Sequence, residues 1–317
     1  MSNEKTANKV AAHNEKTKSE TTKLKTTNRQ HSVYSIAGKV RICRFISRNR
    51  LRYIQFTVGS NLVKQKNKEK MEKIAIIKGA TSGIGKAIAK KIITEGHKVL
   101  AIGRDEEKLA ILKNEHPNKC EIFKTDVSNR TDIETFFKKI TSQYEQVEIL
   151  INAAGFNKTV STVMPFEEAF TNWESVLKTN LTGAFMMSVL AAPLLKKGKG
   201  HIINISSIGA FTGGSATGGI AYAAAKAGLN GLTFSLAREL SPEGITVNSI
   251  APSFIEKTGF TDVFPEEKVQ QIIKNVLMNR AGNVLDIAEL CFYLCSDKAS
   301  YITGEIININ GGWLFGR

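Results

Sequence analysis

From position 73 onward, short apolar runs alternate with longer stretches whose apolar residues recur at helical spacing. Strands are predicted at 73–78, 98–102, 120–125, 147–151, 200–205, 245–250 and 305–309. Helices are predicted at 84–95, 106–115, 131–143, 168–196, 222–240, 265–276 and 284–295. Strict alternation of this kind predicts an α/β domain, with a doubly wound, seven-stranded parallel sheet covered by helices on both faces. Right-handed crossovers then place ligands beyond the carboxyl ends of the strands. Position 1–70 lacks the pattern, so the expected organisation is an N-terminal extension followed by one domain at 71–317.

Charge sharpens that division. The 317 residues carry a formal net charge of +15, which by itself invites a nucleic-acid or anionic-membrane reading. Residues 1–70 hold 17 Lys and Arg against 4 Asp and Glu, and the remainder holds 27 against 25. The basicity therefore belongs to the extension, and the body is expected to bind neither nucleic acid nor membrane. Residues 1–32, rich in Asn, Thr, Lys and Glu, have the composition of a disordered segment. Residues 40–58 interleave Arg41, Arg44, Arg48, Arg50 and Arg52 with Val40, Ile42, Phe45, Ile46, Leu51, Ile54 and Phe56, a pattern a basic amphipathic helix would use for targeting or a membrane surface. Three glutamates in the first twenty residues oppose an organelle-import peptide, and Met71 before the first strand offers a start that would make the extension dispensable. No apolar run is long enough to span a bilayer. Cys43, Cys120, Cys291 and Cys295 form no metal-ligand spacing and read as buried reduced thiols, so a cytoplasmic setting without a metal is expected.

Candidate chemistry falls at the predicted strand ends. The first strand runs into Gly79, Ser82, Gly83, Ile84 and Gly85, a glycine-rich turn entering a helix whose N-terminal amides suit a pyrophosphate. At the end of the second strand, Arg104 can clamp a ribose 2′-phosphate, which favours NADP with NAD still open, while Asp105 is placed to cap the next helix. After the fourth strand, the small residues from Asn152 to Gly155 let backbone lie against a ligand, and Asn152 can bridge neighbouring strands. Ser206 and Ser207 end the fifth strand, where a hydroxyl can donate to an oxygen gaining negative charge. Tyr222 and Lys226, four apart, share one helix face, and the ammonium is expected to lower the phenol's pKa.

In their order and spacing, the glycine turn, the Asn152–Gly155 run and Tyr222-x3-Lys226 resemble the short-chain dehydrogenase/reductase family across residues 71–317. The runs at 248–252, 300–304 and 310–312 are similar to its 3-oxoacyl-acyl-carrier-protein reductase branch. The resemblance implies a Rossmann-type fold and NADP-dependent transfer of hydride between nicotinamide and a ketone or secondary alcohol. It implies that Tyr222 exchanges the proton, Ser207 orients the oxygen (with Ser206 as runner-up), Lys226 stabilises the phenolate and binds the nicotinamide ribose, and Asn180 holds a helix distortion leading to the lysine. Asp126 and the adjacent Val127 would meet the adenine, and the Ile255 backbone the carboxamide. A homodimer or homotetramer built through 168–196, 222–240 and the last strand is also implied. Two positions depart from the family pattern: Lys78 stands where a threonine is usual, and Ser253 replaces the glycine after Pro252.

Overall fold

The computed structural model describes residues 72–317 except 215, 216, 260, 263 and 317, and four short strands nearer the N-terminus. The chain divides into two compact units, Met1–Met71 and Glu72–Arg317. In the first, Ser32–Ile36 pairs antiparallel with Lys39–Cys43, and Ile46–Ser47 with Arg50–Leu51. The amphipathic-helix reading of 40–58 is therefore corrected at 40–43, 46–47 and 50–51, and the rest of that span lies outside the described residues. The run Lys39–Cys43 alternates polar and apolar residues with the period of a strand, and Ile42 pairs with Val33. Residues 1–31, where disorder was expected, lie outside the described residues.

The second unit is built on strands β1 (Ile74–Lys78), β2 (Lys98–Gly103), β3 (Cys120–Lys124), β4 (Ile149–Asn152), β5 (His201–Ile205), β6 (Thr246–Pro252) and β7 (Ile306–Ile309). They form one seven-stranded sheet in the order β3-β2-β1-β4-β5-β6-β7, every neighbouring pair parallel. The direction of winding reverses between β1 and β4, where Lys78 pairs with Asn152 and Asn152 with Asn204. This reversal opens the crevice in which a doubly wound sheet takes its ligand.

Helices α1 (Gly83–Thr94), α2 (Glu106–Glu115), α3 (Arg130–Thr141), α4 (Phe166–Leu177), α5 (Gly183–Ala191), α6 (Gly209–Thr212), α7 (Ile220–Leu240), α8 (Glu266–Ile273) and α9 (Val284–Leu294) complete the unit. Local chemistry marks several of their starts. Asp105 caps α2 by accepting from the Lys108 amide at 3.0 Å, and Asn283 with Asp286 forms a reciprocal capping box on α9. Strand side chains alternate between two cores: Ala75, Ile77, Val99, Ile149 and Ile203 meet α1, α2 and α9 on one face. Ile76, Leu100, Leu150, Ile202 and Val247 meet α3, α5 and α7 on the other. Both faces are dry, which is why the strands read as nearly continuous apolar runs.

The single helix expected at 168–196 is broken. A π-helical turn, Lys178–Thr182, separates α4 from α5, and Ala192–Leu194 is a 3₁₀ turn. Periodicity cannot register the break, because both flanking helices keep burying apolar residues. Glycine is required at position 79 by geometry: φ is +90°, and a Cβ there would lie 2.6 Å from the Ala154 nitrogen. Gly79→Ala is expected to destabilise the protein by about 2 kcal/mol or more, read as a lower midpoint in urea unfolding followed by circular dichroism.

Candidate active site

Three strand ends build the cofactor side. Gly79 packs on Ala154, and a Cβ on Gly85 would collide with the Gly79 carbonyl, so these two glycines serve close packing of turn, helix and neighbouring strand. Gly83, at φ +50°, opens α1, and the Ser82 side chain makes no capping hydrogen bond there. The first-turn amides of α1 lie at the positive end of the helix. Arg104 stands exposed directly after β2. Asp126 spends one carboxylate oxygen on the Ser128 amide and hydroxyl, at 2.9 and 2.8 Å, while Val127 is buried and its carbonyl faces Gly183. Across the crevice, the Ile255 carbonyl accepts from Thr261 Oγ1 at 2.7 Å, which fixes the turn after β6.

The reacting side lies at the ends of β4 and β5 beneath α7. Asn152 donates to Asn204 Oδ1 at 2.9 Å and to Ser188 Oγ at 3.1 Å, and Asn204 donates onward to Thr233 of α7 at 2.9 Å. Asn180 sits in the π turn, buried, with Oδ1 accepting from the Phe156 amide at 3.0 Å and Nδ2 donating to the Phe156 carbonyl at 2.8 Å. A Cβ on Gly155 would fall 2.7 Å from Asn180 Oδ1 and 3.2 Å from Lys226 Nζ, so these groups converge on one small space. Lys226 Nζ donates to the Ile205 carbonyl at 2.6 Å and lies 5.5 Å from the centre of the Tyr222 ring. Ser207 hydrogen-bonds to Tyr222 and also accepts from the Gly209 amide at 3.0 Å. Ser206 is buried and its hydroxyl turns back to the Lys226 carbonyl at 3.3 Å. Of the two serines, only Ser207 meets the phenol.

Known proteins are similar to this chain over most of its length. A family model described as Enoyl-(Acyl carrier protein) reductase covers residues 79–314. The chain is 36% identical over 245 residues to 3-oxoacyl-[acyl-carrier-protein] reductase FabG of Aquifex aeolicus, covering 76% of this chain and 96% of that protein. It is 34% identical to the protein of the same name from Thermotoga maritima over 244 residues (76% and 97%), and 36% identical to Nodulation protein G of a Rhizobium species over 239 residues (75% and 95%). The chain belongs to the short-chain dehydrogenase/reductase family. It is an NADP(H)-dependent oxidoreductase. The crevice fits that cofactor, since α1 brings helix-terminal amides without a side-chain cap from Ser82 to the end of β1, where a pyrophosphate would lie, and Arg104 is an exposed cation beside the adjoining strand end.

Tyr222 and Lys226 share α7, but their electrostatics differ from the sequence expectation in one respect. Tyr222 is half-buried, yet the protein crowded around it pushes the phenol up to about 12, with the Ser207 hydrogen bond pulling the other way. The ammonium does not bring the phenol below its ordinary value, because Lys226 is directed to the Ile205 carbonyl. Burial in turn lowers Lys226 to about 8. The phenol is therefore protonated across the neutral range and ready to donate. The sequence reading missed the contributions of Ser188, Asn204 and Thr233, whose polar letters at apolar positions were the available signal, and of the Phe156 backbone, which no letter could signal. An alkaline absorbance titration of wild type minus Tyr222→Phe is expected to show one phenol ionising above pH 11, whereas ionisation below pH 10 would mean that Lys226 outweighs burial.

Proposed function

We propose that this chain reduces the ketone of a 3-oxoacyl thioester with NADPH. NADPH supplies the hydride. Tyr222 gives its proton to the carbonyl oxygen, Ser207 holds that oxygen by a second hydrogen bond, and Lys226 stabilises the phenolate and binds the nicotinamide ribose. Asn180 keeps the π turn in place and carries the relay toward Lys226. On the cofactor, Gly79, Ser82, Gly83, Ile84 and Gly85 serve the pyrophosphate, Arg104 the 2′-phosphate, and Asp126 and Val127 the adenine. Asn152, Gly155 and Ile255 line the nicotinamide end.

The Ser207–Tyr222 hydrogen bond carries this reading, since it brings two hydroxyls to one point. An oxygen that becomes negative as hydride arrives is stabilised by two donors at once. The substrate side is framed by two loops that meet where the Val160 amide donates to the Gly218 carbonyl at 2.9 Å. The relatives' names point to an acyl-carrier-protein thioester, and the family match at residues 79–314 extends through both loops.

Assembly as a dimer or tetramer belongs to the same reading. Phe166, Phe170, Phe185 and Val189 on α4 and α5 and Phe234 on α7 are large apolar side chains left exposed, along the helices through which association was expected. Light scattering after size exclusion is expected to give two or four chains per particle, and Phe234→Glu to lower that number.

With NADPH and acetoacetyl thioesters, Tyr222→Phe is expected to lower kcat by ~10²- to 10⁴-fold and Ser207→Ala by about 10²-fold, with Ser206→Ala remaining close to wild type. A panel of other ketones assayed alongside identifies a different substrate if the thioester is the poorer one. NADPH binding without turnover on any of them would contradict the catalytic reading.

A further inference from the structure

Lys78 has no counterpart in the chemistry described so far. It ends β1, is fully buried, and pairs with Ile102 on one side and Asn152 on the other. Its ammonium donates to the Thr179 carbonyl at 2.9 Å and reaches the Ala154 carbonyl at 3.4 Å. Thr179 precedes Asn180 in the π turn, and Ala154 precedes Gly155, so one cation spans the two segments that converge on Lys226. Threonine, the residue usual at this place in the family, is too short to span them in this way. Burying an ammonium is costly unless its donors are satisfied and its position is needed.

We propose that Lys78 is a positioning residue for proton transfer, tying the Asn180 turn to the Gly155 turn and setting the electrostatic field felt by Lys226 and Tyr222. The inference rests on the reading of Tyr222 and Lys226 given above. Lys226 on α7 is the charged group whose field reaches Lys78, with Tyr222 on the same helix face beyond it; Ile102 of β2, Asn152 and Ala154 of the β4 end, and Thr179 and Asn180 of the π turn carry no titratable charge, and Lys178 in that turn is exposed. Burial, assisted by Lys226, lowers Lys78 to about 7, so its charge changes near neutrality. When charged, it disfavours a proton on Lys226 and favours the phenolate of Tyr222.

The linkage has a definite sign. An unfolded lysine keeps its proton up to about 10.5 and folded Lys78 releases it near 7, so between those values the unfolded chain holds the extra proton and stability rises with pH. The test compares wild type with Lys78→Met, which removes tether and charge, and Lys78→Gln, which keeps a donor without charge. Lys78→Thr stands in if either variant fails to fold. Urea midpoints are measured at pH 7 and 9.5 on the full chain, and kcat against pH with NADPH and an acetoacetyl thioester. Expected are loss of part of the rise in stability in every variant and loss from the kcat profile of the inflection near pH 7 that the change of charge on wild-type Lys78 imposes. In Lys78→Met, kcat also falls by about tenfold, and Lys78→Gln recovers part of that loss but not the inflection. Unchanged stability slopes, or pH profiles that superimpose on wild type, would overturn the proposal. Tyr222→Phe is assayed in parallel: if it stays active, the assignment of the pair fails and the inference with it, whereas an inactive Tyr222→Phe beside unmoved Lys78 profiles removes the inference alone.

Discussion

One buried charge organises the reacting end of this protein. Lys226 is almost without solvent, and its ammonium satisfies itself on the Ile205 carbonyl at 2.6 Å, at the last residue of β5. That contact seats α7 against the strand end from which Ser206 and Ser207 continue. A displaced lysine would leave a charge in a dry interior at a cost of several kcal/mol, so the register of helix on sheet is strongly constrained. The constraint puts Tyr222, one helical turn before Lys226, within hydrogen-bonding reach of Ser207. The same burial makes Lys226 a weaker base and Tyr222 a weaker acid than in water, so the pair is tuned by exclusion of solvent more than by mutual attraction.

A row of polar side chains extends this arrangement across the sheet. Lys78, Asn152 and Asn204 face one another at the ends of β1, β4 and β5, and hydrogen bonds carry the row to Ser188 of α5 and Thr233 of α7. Buried polar groups are tolerable where each finds partners, and a satisfied network of this sort fixes one arrangement among many apolar ones. The Asn152 side-chain oxygen Oδ1, which has no protein partner here, is the one loose end of that row. It lies in the crevice where winding reverses.

Much of this was legible in the letters. The seven strands were readable because both faces of the sheet are dry, and the glycine turn because a φ of +90° and a backbone contact at 2.6 Å tolerate nothing larger than glycine. Ser207, Tyr222 and Lys226 were readable as chemistry from their placement at a strand end and on a helix face. What stayed hidden depends on three dimensions. The π turn at Lys178–Thr182 carries two hydrogen bonds between Asn180 and the Phe156 backbone, 24 positions away, and apolar periodicity runs through it undisturbed. The direction of the Tyr222 shift was misjudged because spacing shows that a cation is near but not where its donors point. In the N-terminal unit, arginines interleaved with apolar residues suit a strand as well as a helix, and pairing with Ser32–Ile36 decided for the strand at Lys39–Cys43.

The central claim is that Ser207 and Tyr222 act together on one oxygen, positioned by Lys226. A double-mutant cycle tests it most directly, with kcat measured on the same ketone and NADPH for wild type, Ser207→Ala, Tyr222→Phe and the double variant. If the two hydroxyls work as a unit, removing Ser207 from the Tyr222→Phe enzyme costs little more, and the double variant is about as slow as Tyr222→Phe alone. Losses that multiply would mean that the two residues contribute independently, and would contradict the account.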